Sequence, residues 1–459
     1  MLIGGRPTAG FSVGKLIATI ALVLVATALP AAASPAAETP THGPYVPGQL
    51  LVRFEGGAEQ LVQLPEGVDL AAAERALDAN PTVAYAVPNY VAHASAVPND
   101  PGVSGFAGGW QRTQWNFLSC GSLCGEAPAE YQERGGLNAP DAWDILRQRG
   151  AAGGRGARVA VLDTGVAYMT RKPRFRKSPD FSRTQFLPGY DFVDKDRMPL
   201  DEDGHGTHVA GTIGERTGNH FGLTGLASKA RIIPVRVLDS EGFGTARNIA
   251  RGIRWAAEHR AEVINMSFEF SLRVNSCGKI KGICAAIKFA FKRRALVVAA
   301  SGNENGEPVA YPAGAPRVIG VGRTTKDACL ASESRTGAGL DLVAPGGGYP
   351  ALSTCGSDDA FFTRGVPIFQ LTFDGPGFTR FGYPGGFEGT SMAAAHISGV
   401  AAMVIASHVV GRAPTAVECQ LEGTARHSDS QLGQPYDQRL FGAGLVDAAA
   451  AVRARAPGC

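Results

Sequence analysis

From residue 157 onward the chain alternates two kinds of segment, and that alternation limits the folds open to it. ARVAVLD (157–163), RIIPVRVL (231–238), EVINMS (262–267), ALVVAA (295–300) and RVIGVG (317–322) are short and apolar almost throughout. They read as strands. TARNIARGIRWAAEHR (245–260), GICAAIKFAFKRR (282–294), the run after Ser391 and TAVECQLEGTA (415–425) read as helices. Strands that are apolar on both faces need cover on both. The pattern therefore predicts an α/β fold with a mostly parallel central sheet between helices. Such folds bind ligands beyond the carboxyl ends of their strands.

Those ends carry reactive side chains. Asp163 closes the first strand in LDTG. His205 stands in DEDGHGTHVAGTIG between Gly204 and Gly206, which would let a substrate backbone approach the imidazole. His208 follows three residues later, but no Glu stands between the two as in HExxH, and His208 reads as structural. Strand 295–300 runs into Ser301, Gly302 and Asn303. Ser391, in GTSMAAAH, precedes a helix-favouring run, where a serine is ordinarily an N-cap. Each residue has a plain structural reading. Together they supply an orienting carboxylate, a base, an oxyanion donor and a nucleophile at one sheet edge, the set that acyl transfer needs.

AVLDTGV, GHGTHVAGTI, VINMS, ASGNENG and GTSMAAAH resemble, in order, the signature segments of the subtilisin-like serine peptidases. The resemblance runs from PNDP (98–101) to GAGLVDAAAAV (442–452). It implies a subtilisin-like three-layer sandwich and a secreted serine endopeptidase acting on proteins or peptides. Asp163, His205 and Ser391 would be the triad, in this family's order, with Asn303 and the Ser391 N–H holding the oxyanion. Substrate would lie along Ser267, Phe268 and Glu269 on one side and Ala300, Ser301 and Gly302 on the other. The chain departs from the family in having Ala394-Ala395 before His396, and Phe268-Glu269-Phe270 where a Gly-rich edge is usual. Glu269 and Glu304 would lie near the first specificity pocket and favour Lys or Arg at P1. A catalytically silent scaffold is the alternative, disfavoured because all four chemical positions are filled. An esterase or lipase lacks support, since Ser391 is not in a G-x-S-x-G elbow.

Arg6 and Lys15 precede an apolar run from Leu16 to Leu29 and small residues to Ala33, which reads as a signal peptide over 1–33. A membrane anchor is the other reading. No later segment reads as a span, so no membrane association is expected after removal. The net charge of +3 in 459 residues argues against nucleic acid. All 8 cysteines lie beyond residue 100, and an exported chain favours disulfides. Pairing neighbours gives Cys120–Cys124, Cys277–Cys284, Cys329–Cys355 and Cys419–Cys459. Tyr45 to about Ser95 reads strand, helix, strand. By the resemblance, 34–95 is an inhibitory propeptide of small α+β form, an intramolecular partner cut off near Ala94 to Val97. Residues 96–459 are then the catalytic domain, expected to be a monomer.

Asp191, Asp194 and Asp196 crowd the loop DFVDKD and repel one another unless a cation intervenes. The spacing resembles a calcium loop of thermitase-like members. Asp180 and Asn219 match the family's tight calcium site, so structural Ca2+ is the expected cofactor. TRKPRFRKSPD (170–180) is a basic insertion that reads as a solvated loop.

Overall fold

The computed structural model describes residues 45–90, 98–103, 105, 108–118, 134–351, 365–427 and 436–459. The expected signal peptide, the cleavage region 94–97, the Cys120–Cys124 pair and Cys355 lie outside them. The chain divides into two compact units, Met1–Ser95 and Ala96–Cys459.

The first unit holds β1 (Tyr45–Phe54), β2 (Glu59–Gln63), α1 (Leu70–Asp78) and β3 (Val83–Tyr90). They form an antiparallel sheet of order β2-β1-β3. Leu50 and Val52 of β1, Ala73 and Leu77 of α1 and Val62 of β2 meet in its core. Asp69 caps α1, accepting the Ala72 N–H at 2.7 Å. The sequence predicts no β2. EQLVQ buries only Val62, so it shows no alternation that could mark it as a strand.

The second unit is built on a seven-stranded sheet of order β10-β9-β8-β7-β4-β6-β5. Every pairing in it is parallel. The strands are β4 (Arg158–Asp163), β5 (Tyr190–Asp191), β6 (Arg231–Arg236), β7 (Val263–Met266), β8 (Leu296–Ala300), β9 (Val318–Thr324) and β10 (Leu342–Pro345). The helices that bear on function are α2 (Ala139–Gln148), α3 (His205–Gly214), α4 (Ala246–Glu258), α5 (Lys281–Lys292), α6 (Thr390–Ser407) and α7 (Pro414–Gly423). Strand periodicity splits the core in two. Val159 and Val161 of β4 pack with residues of α3 and α6. Ala160 and Leu162 pack with α4 and α5. That is the three-layer α/β sandwich. Thr245 caps α4 through the Asn248 N–H, and Ile249, Ile253 and Ala256 turn inward at helical spacing.

α6 is the core helix. Every residue from Thr390 to Ser407 is buried except Ser391. It is long and apolar enough to cross a membrane, yet it lies wholly within the protein. Cys277–Cys284 and Cys419–Cys459 are disulfides, and the second ties the chain's last residue to α7. Cys329 is also disulfide-bonded.

Candidate active site

β4 carries Asp163 to the carboxyl edge of the sheet and buries it completely. Asp163 Oδ1 accepts the Thr164 N–H at 2.8 Å and faces His205 Nδ1 at 2.7 Å. The His205 proton therefore sits on Nδ1 and leaves Nε2 as the basic nitrogen. Burial of the ring opposes its charge. Asp163, by its charge and its hydrogen bond, with Asp203 and Asp201 beyond it, outweighs burial and pushes the imidazole up to about 9.

His205 opens α3, and three neighbours fix it there. Gly204 has a φ of 119°, a conformation open to glycine. Asp203 accepts the His205 N–H at 2.9 Å. Asp201 is a buried hub that the sequence did not single out. Its Oδ1 accepts the Thr164 hydroxyl at 2.9 Å and the Asp203 and Gly204 N–H groups at 3.0 Å. Its Oδ2 accepts the Thr207 N–H and hydroxyl at 2.9 and 2.6 Å. Asp201 thus fastens the turn after β4 to the start of α3. A Cβ on Gly206 would stand 2.1 Å from the Gly165 carbonyl oxygen and 3.1 Å from Asp163 Cβ. The glycines beside His205 serve the backbone turn and the approach of helix to strand, and the His205 ring lines the cleft. His208 is buried, donates from Nε2 to the Ile368 carbonyl at 3.0 Å and stacks on Phe387. Burial pushes it down to about 3, so it packs as a neutral ring.

Ser391 is the second residue of α6. Gly389 is the N-cap, with a φ of 153°, so the expected capping role of Ser391 is not filled. The Ser391 hydroxyl donates to the Ser267 carbonyl at 3.0 Å, and Ser267 Oγ donates to the Ser391 carbonyl at 2.7 Å. His205 and Ser391 line one cleft of about 320 Å³, but the hydroxyl is not hydrogen-bonded to the ring. Catalytic hydrogen bonds are often loose in a free enzyme and tighten around substrate. Asn303 lines the same cleft. Its Oδ1 accepts the Thr390 N–H at 2.9 Å and the Thr390 hydroxyl at 3.3 Å. That anchor leaves its amide N–H groups without an acceptor among the described residues. Thr390, which also accepts the Gly302 N–H at 3.1 Å, is a second positioning residue missed in the sequence.

Of the expected substrate contacts, Ser267, Phe268, Glu269 and Ala300 line the cleft, joined by Leu238 and Phe243. Ser301 and Gly302 stand behind that wall. The Ser301 hydroxyl donates to the Arg335 carbonyl at 3.0 Å. Glu269 Oε1 accepts the Asn303 N–H at 3.1 Å. Its Oε2 lies 2.2 Å from where a Gly302 Cβ would stand. The Arg335 guanidinium behind it is committed to the carbonyls of Pro308, Glu304 and Asn305. Burial raises the Glu269 carboxyl above its usual range. Glu304 is exposed and does not line the cleft. Of the expected acidic pair, only Glu269 lines the cleft.

The two calcium candidates fare differently. At DFVDKD, the buried Arg236 guanidinium reaches Asp191 Oδ2 at 3.1 Å, Asp194 Oδ2 at 2.9 Å and Glu202 Oε2 at 3.0 Å. Asp196 Oδ1 accepts the Met198 N–H. For Asp191 and Asp194 an arginine supplies the counter-charge, which corrects the reading that these two call for a metal cation; Asp196 is held by the backbone instead. Asp180 and Asn219 have no such partner. Asp180 Oδ1 accepts from Asn219 Nδ2 at 2.7 Å, and the buried Asp100 carboxylate takes the Gly218 and Asn219 N–H groups at 2.8 and 2.9 Å. Burial, opposed by the Asn219 hydrogen bond and aided by the Asp100 charge, pushes Asp180 up to about 7. Among the described residues no three carboxylate, imidazole or thiolate groups converge as a metal site. Two buried carboxylates and an amide with no side-chain cation hydrogen-bonded to them still suit a hard, oxygen-seeking ion.

A hydroxyl at the start of a core helix, sharing a cleft with an aspartate-held imidazole, is the equipment of a serine hydrolase. The sequence pattern described as the subtilase family matches residues 154–444. Thermophilic serine proteinase of Bacillus sp. (strain AK1) is 33% identical over 357 residues, covering 78% of this chain and 71% of that one. Thermitase of Thermoactinomyces vulgaris is 34% identical over 293 residues, 63% of this chain and 86% of its own. A solved structure described as proteases from Pseudoalteromonas arctica PAMC 21717 has a TM-score of 0.59 at 30% identity, covering 78% of this chain and 99% of that one. The chain belongs to the subtilase family and is a serine endopeptidase.

Proposed function

We propose that the protein is a secreted, self-processed peptidase in which Asp163, His205 and Ser391 are the catalytic triad. The observation that carries this is the 2.7 Å Asp163–His205 hydrogen bond in the cleft that Ser391 lines. The Ser391 hydroxyl swings from the Ser267 carbonyl to His205 Nε2, gives up its proton and attacks the scissile carbonyl. Asp163 holds the imidazolium that forms. The oxyanion lies between Asn303 Nδ2–H and the Ser391 N–H, near the positive end of α6. His205 then protonates the leaving amine, and water, activated by the same ring, releases the acyl group.

The free Oε2 of Glu269 supports a preference for Lys or Arg at P1. Residues 1–33 are read as a signal, 34–95 as a propeptide and 96–459 as the enzyme, acting as a monomer. The small cysteine-free first unit supports the propeptide reading. Asp100, Asp180 and Asn219 would hold one Ca2+, whose charge would offset the two buried carboxylates. Ser391→Ala tests the core claim. It should abolish peptide hydrolysis while the circular dichroism spectrum stays native. Undiminished hydrolysis by that variant would refute the triad, and a mature native chain that cleaves no peptide would favour the silent scaffold.

A further inference from the structure

A groove of about 390 Å³ between α4 and the start of α5 is lined by Arg247, Arg251, Arg254, Lys279 and Lys281, with no acidic residue. All five are exposed. None makes an ion pair among the described residues. In a chain whose net charge is only +3, five uncompensated cations around one groove are a local concentration.

Fold stability does not explain them. Arg247 and Lys281 lie in the first turns of α4 and α5, where the helix dipole favours acids, and neither helix has an acid there. The charges are also held in place. The Cys277–Cys284 disulfide ties the loop bearing Lys279 to the first turn of α5. Arg251 stacks on Phe192 and Arg254 on Phe289, each at 5.1 Å. Ordering these side chains beforehand lowers the entropic cost of binding. Ala250 and Gly282 line the groove together with the buried Ile280 and Ile283, so an extended chain can lie on an apolar floor among the charges. The groove's lining starts about three residues along the chain from that of the cleft: Gly242 and Phe243 line the cleft, and Ala246 and Arg247 line the groove.

We propose that this groove docks a carboxylate-rich segment of the polypeptide being cleaved, outside the residues next to the scissile bond. The proposal rests on the peptidase reading above. Continuity with the cleft favours a peptide over a free polyanion, and the short groove lacks the long basic track that a nucleic acid backbone follows.

The test uses two peptides with one cleavable core, flanked by glutamates in the first and glutamines in the second. At low salt the native enzyme should show a kcat/KM about tenfold or more higher for the glutamate peptide. The gain should lie in KM and shrink as salt is added. Arg247→Glu with Lys281→Glu should cleave the glutamine peptide at the native rate and lose the preference. An uncleavable, fluorescent glutamate peptide should bind Ser391→Ala by anisotropy, and bind weakly when the two reversals are added. Equal kcat/KM for both peptides, a preference that survives charge reversal, or anisotropy unaffected by it would each overturn the proposal. So would a sulfated polysaccharide that binds the groove while the glutamate peptide does not. Turnover of the glutamine peptide reports separately on the peptidase reading.

Discussion

Glu269 uses its two oxygens differently. One braces the Asn303 backbone, and the other lies free beside Gly302. Gln in its place keeps an oxygen for the brace and removes the charge. Glu269→Gln should therefore lower kcat/KM for Arg-P1 peptides by about tenfold or more while leaving Leu-P1 peptides unchanged. Equal turnover of Phe-, Leu- and Arg-P1 peptides by the native enzyme would contradict the assignment. His205 sets a pH dependence. Its charged form is favoured from 6.5 up to about 9, and the base is the neutral form. The acid limb of kcat/KM for an uncharged peptide should therefore rise through a midpoint above 6.5, toward about 9. Stability runs the other way. The Asp163–His205 contribution is complete below about 6.5 and lost as pH climbs through about 9. A midpoint at or below 6.5 would contradict the Asp163 contact. Asp163, His205, Asn303 and Ser391 were legible because each stands at a strand end or helix start in its own short segment. Asp201, Thr390 and Arg236 were not, because their partners are distant in sequence or part of the backbone.

The junction of β4 with α3 depends on a backbone approach that only glycine permits. Gly206→Ala forces the helix off the Gly165 carbonyl and carries His205 away from Asp163. Overpacking of this kind costs about 1–3 kcal/mol. The variant should melt several degrees lower and lose most of its activity. Native melting and turnover would show that the junction has slack. Long apolar elements were readable: 245–260 contains the observed Ala246–Glu258 and 295–300 the observed Leu296–Ala300. β5, with two residues, is too short for a period to show, and β10, LVAP, ends in a proline that argues against a strand. They are strands because neighbours pair with them.

Asp100 and Asp180, two buried carboxylates with no side-chain cation hydrogen-bonded to them, are a standing cost to the second unit, and the calcium reading would account for it. Chelator should lower the melting temperature of the mature enzyme by several degrees, and added Ca2+ should restore it. Asp180→Asn should melt at one temperature whether chelator is present or not. A native midpoint indifferent to chelator would argue against the ion. At this scale the three-layer plan was legible from apolar strands alternating with amphipathic helices. The calcium reading was legible only in part: the resemblance pointed to Asp180 and Asn219, but Asp100 comes from a third stretch, and the arginine that faces DFVDKD, Arg236, lies on β6.

Ser391, the proposed nucleophile, rides on a long helix whose other residues are all interior. Loosening the hydrophobic centre anywhere along Thr390–Ser407 displaces the reactive oxygen, so heat should take away shape and turnover on a single curve. A sample warmed halfway would then contain whole working enzymes and inert open chains, and the former would digest the latter.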